Sequence, residues 1–122
     1  MVYNYSMSKF IVELYEKPNG KKPIDDFISG LDNKLISKIL RDISVLSLLG
    51  YELKEPNVKY IDKGIFELRT QVANNAARIF YFFYVNNRIV LTNGFIKKTQ
   101  KMPKKEFELA LKYKKDYEKE NN

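Results

Sequence analysis

The spacing of apolar residues predicts a strand, two helices, a group of strands and a final helix, in that order. From Lys9 to Tyr15 apolar and polar positions alternate, and the Pro18-Asn19-Gly20 cluster ends the run, which predicts a first strand and a turn. Pro23 suits the first position of a short helix, and Asp32 is placed to cap a longer one that ends at Gly50. Apolar residues recur along this second helix at helical spacing: Leu35, Ile36, Ile39, Leu40, Ile43, Leu46 and Leu49.

After residue 57 the period of the pattern changes to two, which predicts an antiparallel meander. The predicted strands are Val58 to Ile61, Ile65 to Val72, Ala77 to Val85 and Arg88 to Phe95, with Asn86-Asn87 as the tight turn between the last two. The strand that begins at Ala77 is apolar on both faces apart from Arg78, which indicates a central position. We expect its aromatic residues to pack in the core rather than to stack on bases.

Pro103 opens a last helix, for which the pattern predicts an inward side of Phe107, Ala110, Leu111 and the stem of Lys114 or Tyr117. The charged tail is expected to fray after about residue 117. Together the elements predict an α+β fold, with a helical hairpin packed on a mainly antiparallel twisted sheet. We expect residues 1–122 to form a single domain.

Positive charge is concentrated in one part of the chain. Between Lys59 and Lys105 the sequence has ten Lys or Arg residues and two acids, a balance of +8, whereas the whole chain carries +7. Local positive charge of this kind is typical of a site that binds a polyanion. No run reaches the apolar length of a membrane span or a signal-peptide core, so we expect a cytoplasmic protein with no membrane association.

The chain contains neither cysteine nor histidine. This composition excludes disulfides, thiolate metal sites and cysteine nucleophiles, and it removes the side chain best suited to proton transfer near neutrality. Any catalysis must use Arg, Lys, Tyr, Asp or Glu. No carboxylate cluster is available to hold a metal, and we expect no cofactor.

Charged residues on two predicted strands point to one candidate site. Glu67 and Arg69 share one face of their strand because side chains alternate at a period of two, and the helices are expected to cover the opposite, apolar face. Arg78, on the next strand, would converge with them on a concave polar face. The alternative is a solvated edge in which Arg78 pairs with a carboxylate, but few acids lie near it in the sequence.

A basic loop separates the last strand from the last helix. It contains Lys97, Lys98 and Lys101 and continues into the helix with Lys104. Free backbone N–H groups at a helix N-terminus add to the lysine charge, so this arrangement favours anion binding. The alternative is a basic turn that only aids solubility, although crowded cations oppose the helix dipole.

Several blocks of this sequence, in this order and spacing, resemble the phage-derived, HigB-like branch of the RelE/ParE toxin superfamily. The resemblance covers about Phe10 to Tyr117, and no single block would suffice. The blocks are Gly64-x-Phe66-Glu67-Leu68-Arg69, Arg78-Ile79-x-Tyr81-Phe82, Asn93-Gly94-Phe95-x-Lys97-Lys98-Thr99-Gln100-Lys101-x-Pro103, and Glu106 with Ala110.

This resemblance implies the toxin of a type II toxin–antitoxin system, a metal-independent endoribonuclease that cuts messenger RNA on the ribosome by 2′-OH attack. It places Arg69 and Arg78 at the cationic positions of two strands and Lys97 and Lys98 in the basic loop. We therefore take Arg69, Arg78, Lys98 and Glu67 as candidate catalytic residues. The candidate RNA-binding residues are Lys97, Lys101 and Lys104. Relatives often have a histidine or a late tyrosine for proton transfer, and this chain lacks the former.

The implied partners are messenger RNA, the ribosome and a cognate antitoxin. The antitoxin is expected to be a helix-turn-helix protein, and operator DNA would be bound only through it. Two other functions stay open. A ParE-like inhibitor of DNA gyrase would share the fold but would need a protein-binding helix rather than a phosphate site. A non-enzymatic nucleic-acid-binding module would need only the basic face, and its RNA affinity would be sensitive to salt without cleavage.

Overall fold

A five-stranded mixed sheet organises the protein, seen here in a computed structural model that describes residues 9–122. The first eight residues of the expected 1–122 domain therefore lie outside the described part. The elements are β1 (Ile11–Leu14), α1 (Pro23–Ser29), α2 (Asn33–Leu49), β2 (Val58–Asp62), β3 (Ile65–Val72), β4 (Asn75–Tyr84), β5 (Arg88–Ile96) and α3 (Lys104–Glu120). Within these residues, no helix is long and apolar enough to cross a membrane.

The strands lie in the order β1-β5-β4-β3-β2. Strands β2 to β5 form the predicted antiparallel meander, and β1 adds to its other side in parallel with β5, pairing Ile11 with Arg88. Asn86 and Asn87, in the turn between β4 and β5, both have positive φ, a conformation that asparagine tolerates better than most residues. The predicted α+β fold, with its N-terminal strand, helical hairpin and C-terminal helix, is confirmed.

Local chemistry explains where α1 begins and where α2 begins and ends. Pro23 occupies the first position of α1, and the Asp32 carboxylate accepts a hydrogen bond from the Leu35 amide at 2.9 Å, which caps α2. Gly50 ends α2 with φ +50°, and a Cβ there would lie 2.0 Å from the Phe10 ring. No other residue fits at this helix end without displacing Phe10.

Each face of the sheet carries its own hydrophobic cluster. The face covered by α1 and α2, which we call the α2 face, contains Leu68, Ile79 and Leu91. The opposite face, the α3 face, contains Phe80 and Phe82 and is covered by α3. The expectation of a polar second face therefore needs correction, because buried aromatic side chains on alternate positions of β4 require a cover and α3 supplies it.

Helix α3 buries Ala110 and Tyr117 as predicted, but it also buries Tyr113 and is longer than predicted. Tyr113 is 5% exposed and stacks on Tyr15 with ring centroids 4.5 Å apart, and the helix continues to Glu120 instead of fraying after residue 117. Polar contacts at its C-terminal end account for the extra turn. The Tyr84 hydroxyl donates to the Asn121 carbonyl, and the Asn121 amide donates to the Tyr117 carbonyl.

Candidate active site

Three charged residues meet on the α3 face where β3 and β4 approach the basic loop. Arg69 lies directly opposite Arg78 in the β3–β4 ladder, and Glu67 is two residues along β3 on the same face. Like charges in directly opposed positions repel, so this pair of arginines requires a counter-charge. Glu67 provides that charge from within the sheet.

The Glu67 carboxylate is shared between the two guanidinium groups. Arg69 donates from Nε to Glu67 Oε1 at 3.1 Å, and Arg78 Nε lies 3.8 Å from the same oxygen, too far for a hydrogen bond. The side chains of Glu67, Arg78 and Arg69 are 6%, 11% and 25% exposed. Arg69 is thus the member of this cluster most accessible to a ligand.

Arg78 is held in an unusual environment for a cation. Burial lowers the pKa of its guanidinium below the ordinary value, Glu67 partly offsets this by raising it, and Arg69 lowers it further. One of its Nη atoms donates to the Ala77 carbonyl at 3.0 Å, while its Nε has no hydrogen-bond partner among the described residues. The structure therefore shows Arg78 paired with a carboxylate, as the alternative expected, but Glu67 is buried and does not belong to a solvated edge.

A cleft of about 140 Å³ opens beside this cluster, and we call it the basic cleft. Its lining combines cations, one carboxylate, one amide and apolar side chains. The residues are Lys59, Ile61, Glu67, Arg69, Phe95, Lys97, Gln100, Met102 and Pro103. Three cations around one carboxylate leave the cleft with net positive charge, which suits a phosphate group.

The candidate residues divide into two groups by position. Glu67, Arg69 and Lys97 line the basic cleft, whereas Lys98, Lys101 and Lys104 are exposed residues of the adjacent loop and helix start. Arg78 is connected to the cleft through Glu67.

Sequence reasoning missed four of the lining residues with relevant chemistry: Lys59, Ile61, Gln100 and Met102. Lys59 pairs with Glu67 across the β2–β3 ladder, which brings it to the same face. The alternation of β2 was visible in the sequence, but the strand register that sets its neighbours was not.

The loop between β5 and α3 is fixed at several points. The Lys97 amide donates to the Ala76 carbonyl at 2.7 Å, the Thr99 hydroxyl donates to the Lys101 carbonyl at 3.1 Å, and the Phe107 amide donates to the Pro103 carbonyl at 3.1 Å. Further along, the Asn93 amide donates to the Glu106 carbonyl at 3.0 Å and ties β5 to the first turn of α3. The cleft is thus held in place by backbone contacts at both ends of the loop.

Gly94 sets the spacing between β5 and α1. A Cβ on this residue would lie 2.5 Å from the Phe27 ring and 3.1 Å from the Arg78 carbonyl. The glycine in the Asn93-Gly94-Phe95 block therefore serves packing beside Arg78, and it does not itself line the cleft.

Three residues of α3, Glu106, Tyr113 and Tyr117, have raised pKa values and lie outside the lining of the basic cleft. Burial raises the pKa of the Glu106 carboxyl, and burial together with Glu106 and Asp116 raises the pKa of the Tyr113 hydroxyl. Tyr113 packs toward Tyr15. Among residues 9–122, no cluster of three or more acids could hold a metal ion.

Comparison with known proteins supports a family assignment. A family model described as phage-derived protein Gp49-like matches residues 26–115, which include every residue that lines the basic cleft. A search of curated proteins finds no match. Since the matched residues make up most of the chain, this protein belongs to the phage-derived Gp49-like family, a RelE-like family of toxin type.

Proposed function

We propose that this protein is the HigB-like toxin of a type II toxin–antitoxin pair and that it cleaves messenger RNA on the ribosome without a metal ion. One observation carries the proposal: Arg69, aligned by a 3.1 Å hydrogen bond to Glu67, faces a small cleft that Lys59 and Lys97 also line. An aligned guanidinium with flanking ammonium groups matches the charge and geometry of a phosphodiester.

The proposed reaction is attack of a ribose 2′-OH on the neighbouring phosphorus. The O2′–H bond breaks as its proton passes to water, the O2′–P bond forms, and the P–O5′ bond breaks while O5′ takes up a proton. The products are a 2′,3′-cyclic phosphate and a 5′-OH end. Negative charge develops on the non-bridging oxygens of the pentavalent intermediate, where Arg69 is placed to stabilise it. Lys97 or Lys101 has one of two roles. It holds the neighbouring phosphate, or it protonates the leaving O5′ oxygen.

Glu67 and Arg78 are assigned to positioning. Because Glu67 Oε1 already faces two guanidinium groups, it serves better to orient Arg69 than to take a proton from the ribose. Arg78, 11% exposed, supports Glu67 from the neighbouring strand. Lys98, Lys101 and Lys104 extend the positive charge along the loop, where they would bind the backbone of the messenger.

A family of toxin type implies an antitoxin partner. We propose a helix-turn-helix antitoxin that covers the face bearing Arg69 and Lys98, since desolvated contacts between these cations and partner carboxylates would block access to RNA. Operator DNA would then be bound by the antitoxin and not by this chain.

The test combines expression in bacteria with cleavage on purified ribosomes. Expressing the protein alone should arrest translation, and primer extension should reveal new 5′ ends inside coding regions. Arg69→Ala should lower the cleavage rate by roughly a hundredfold, as for loss of one donor to a transition-state oxyanion. Arg41→Ala, which removes an exposed arginine from α2, is the matched control and should cut at the wild-type rate.

Other outcomes separate the competing functions. Intact transcripts with DNA breaks in arrested cells would assign the protein to gyrase inhibition. Salt-sensitive RNA binding without any cleavage would identify the protein as a non-enzymatic nucleic-acid-binding module. If Arg69→Ala stays folded and cleaves like the wild type while Arg78→Ala is inactive, the catalytic cation is Arg78.

A further inference from the structure

The basic cleft contains more apolar surface than a phosphate requires. Ile61, Met102 and Pro103 line it beside the cations, and Met102 is 38% exposed although it is an apolar residue in a loop. A site for inorganic phosphate alone would be surrounded by hydrogen-bond donors. Cations next to an exposed apolar surface match a nucleotide instead, which has a charged phosphate and a flat apolar base.

Gln100 adds a group that can read a base edge. It is exposed, lines the same cleft, and carries both amide donors and a carbonyl acceptor. The hydrogen bond from the Thr99 hydroxyl to the Lys101 carbonyl spans Gln100 and closes the turn that carries it. An amide side chain can donate to and accept from one base edge at the same time, whereas lysine can only donate.

The small size of the cleft limits what it can hold. At about 140 Å³ it accommodates part of one nucleotide and not a longer stretch of RNA. Selectivity arising there would therefore concern a single base next to the bound phosphate.

We propose that Gln100 and Met102 form a subsite for one nucleobase of the messenger, next to the phosphate that Arg69 holds; this inference rests on the proposed function. Met102 packs against the face of the base, and its flexible thioether accepts any of the four bases. Gln100 hydrogen-bonds to the base edge and favours some bases over others. The loop after β5 thus determines where the messenger is cut.

The experiment uses the full chain and RNA that binds without being cut. All messengers carry 2′-O-methyl groups at the target codon, which block the attack on the phosphate. Two forms are compared: one has a normal nucleotide at the tested position, and the other has an abasic site there. Affinity is measured both for the free messenger and for ribosomes programmed with it. The wild-type protein should bind the abasic form roughly fivefold more weakly, whereas Met102→Ala should bind both forms nearly alike, since the contact of a thioether with an aromatic ring contributes a factor of this order.

Cut-site sequencing on unmodified messengers tests Gln100. Gln100→Ala should lose preference for one base by about tenfold while it keeps cutting, because a paired hydrogen bond to a base is what discriminates. The matched controls are Gln71→Ala for the amide and Leu48→Ala for exposed apolar surface. Leu48 lies on α2 and is 38% exposed, the same as Met102.

The possible failures are distinct. If the wild type cuts messengers but binds normal and abasic RNA equally, or if Gln100→Ala leaves the cut-site profile unchanged, the base subsite is refuted and the nuclease assignment stands. If the wild type neither binds nor cuts RNA in either form, both the subsite and the proposed function are refuted.

Discussion

At the scale of single residues, the central feature is a carboxylate that serves two cations. The Glu67 side chain is 6% exposed and lies between Arg69, its hydrogen-bond partner, and the largely buried Arg78 on the next strand. Without this carboxylate two guanidinium groups would face each other across the β3–β4 ladder with no compensating charge. The stability of the sheet and the orientation of Arg69 therefore depend on the same side chain.

Glu67→Gln keeps the shape of the side chain and removes its charge. We expect the free energy of unfolding to fall by about 3 kcal/mol, because breaking a buried ion pair leaves its partners uncompensated. Urea denaturation of the purified protein measures this. Glu52→Gln is the matched control, since Glu52 is 71% exposed in its pair with Lys9 and should change stability by about 0.5 kcal/mol or less. Equal stability of the two variants would contradict the structural role of Glu67.

The sequence was sufficient to find part of this site and insufficient for the rest. Alternation along β3 places Glu67 and Arg69 on one face whatever the sheet order, and β-strand periodicity made both visible. Lys59 joins them only through the β2–β3 register, which depends on how the whole sheet packs. The pairing of Arg78 with Glu67 was open for the same reason, since cross-strand neighbours are not set by local sequence.

At the scale of elements, α3 is fixed to the sheet by a partly buried polar contact at its C-terminal end. The Tyr117 hydroxyl donates to Glu13 Oε2 at 2.6 Å and accepts from Arg88 at 2.8 Å, so one side chain of α3 connects β1 with β5. Arg88 also lies over the Tyr84 ring, 4.7 Å from its centroid. The pattern of the sequence predicted this helix, but the contact that holds its last turn involves residues far apart in the chain.

Tyr117→Phe removes the hydroxyl and leaves the ring. We expect a loss of about 2 kcal/mol in unfolding free energy, as for a hydrogen bond to a charged group. Tyr84→Phe is the matched control, because the Tyr84 hydroxyl makes only an exposed contact with the Asn121 carbonyl. Thermal unfolding at neutral pH compares the two variants, and a Tyr84→Phe loss as large as that of Tyr117→Phe would refute the assignment.

The same contact has a pH signature. Burial, with the hydrogen bond to Glu13, raises the pKa of Tyr117 from 10.0 to about 12, so folding favours the neutral hydroxyl. A raised pKa stabilises the fold fully below pH 10, and this contribution is lost as the pH rises toward 12. Tyr15 has a pKa raised to about 12 as well, so Tyr117→Phe should reduce the alkaline loss of stability without abolishing it.

At the scale of the whole molecule, positive charge is collected around one cleft and its loop. The exposed lysines there should contact phosphates without regard to base sequence.

Lys98→Ala should lower the magnitude of the slope of log affinity against log salt by about 0.7, the value for one phosphate contact with a single strand. Uncut 2′-O-methyl RNA titrated at several salt concentrations measures the slope. Lys34→Ala, which removes an exposed lysine from α2, should leave it unchanged; equal slopes for all three proteins would exclude Lys98 from the RNA contact.

The parallel pairing of β1 with β5 also has a consequence for how the chain reaches its folded state. The strands of the meander are neighbours in sequence, so they can pair through short loop closures. Strand β1 pairs with β5, in which Arg88 is the partner of Ile11, so this pairing requires the closure of a much longer loop. During synthesis, the first strand leaves the ribosome long before its partner exists. Strand β5, which β1 must join, also supplies Phe95, and Lys97 follows β5 directly. The basic cleft and the β1 edge of the sheet are therefore completed at the same late stage of folding.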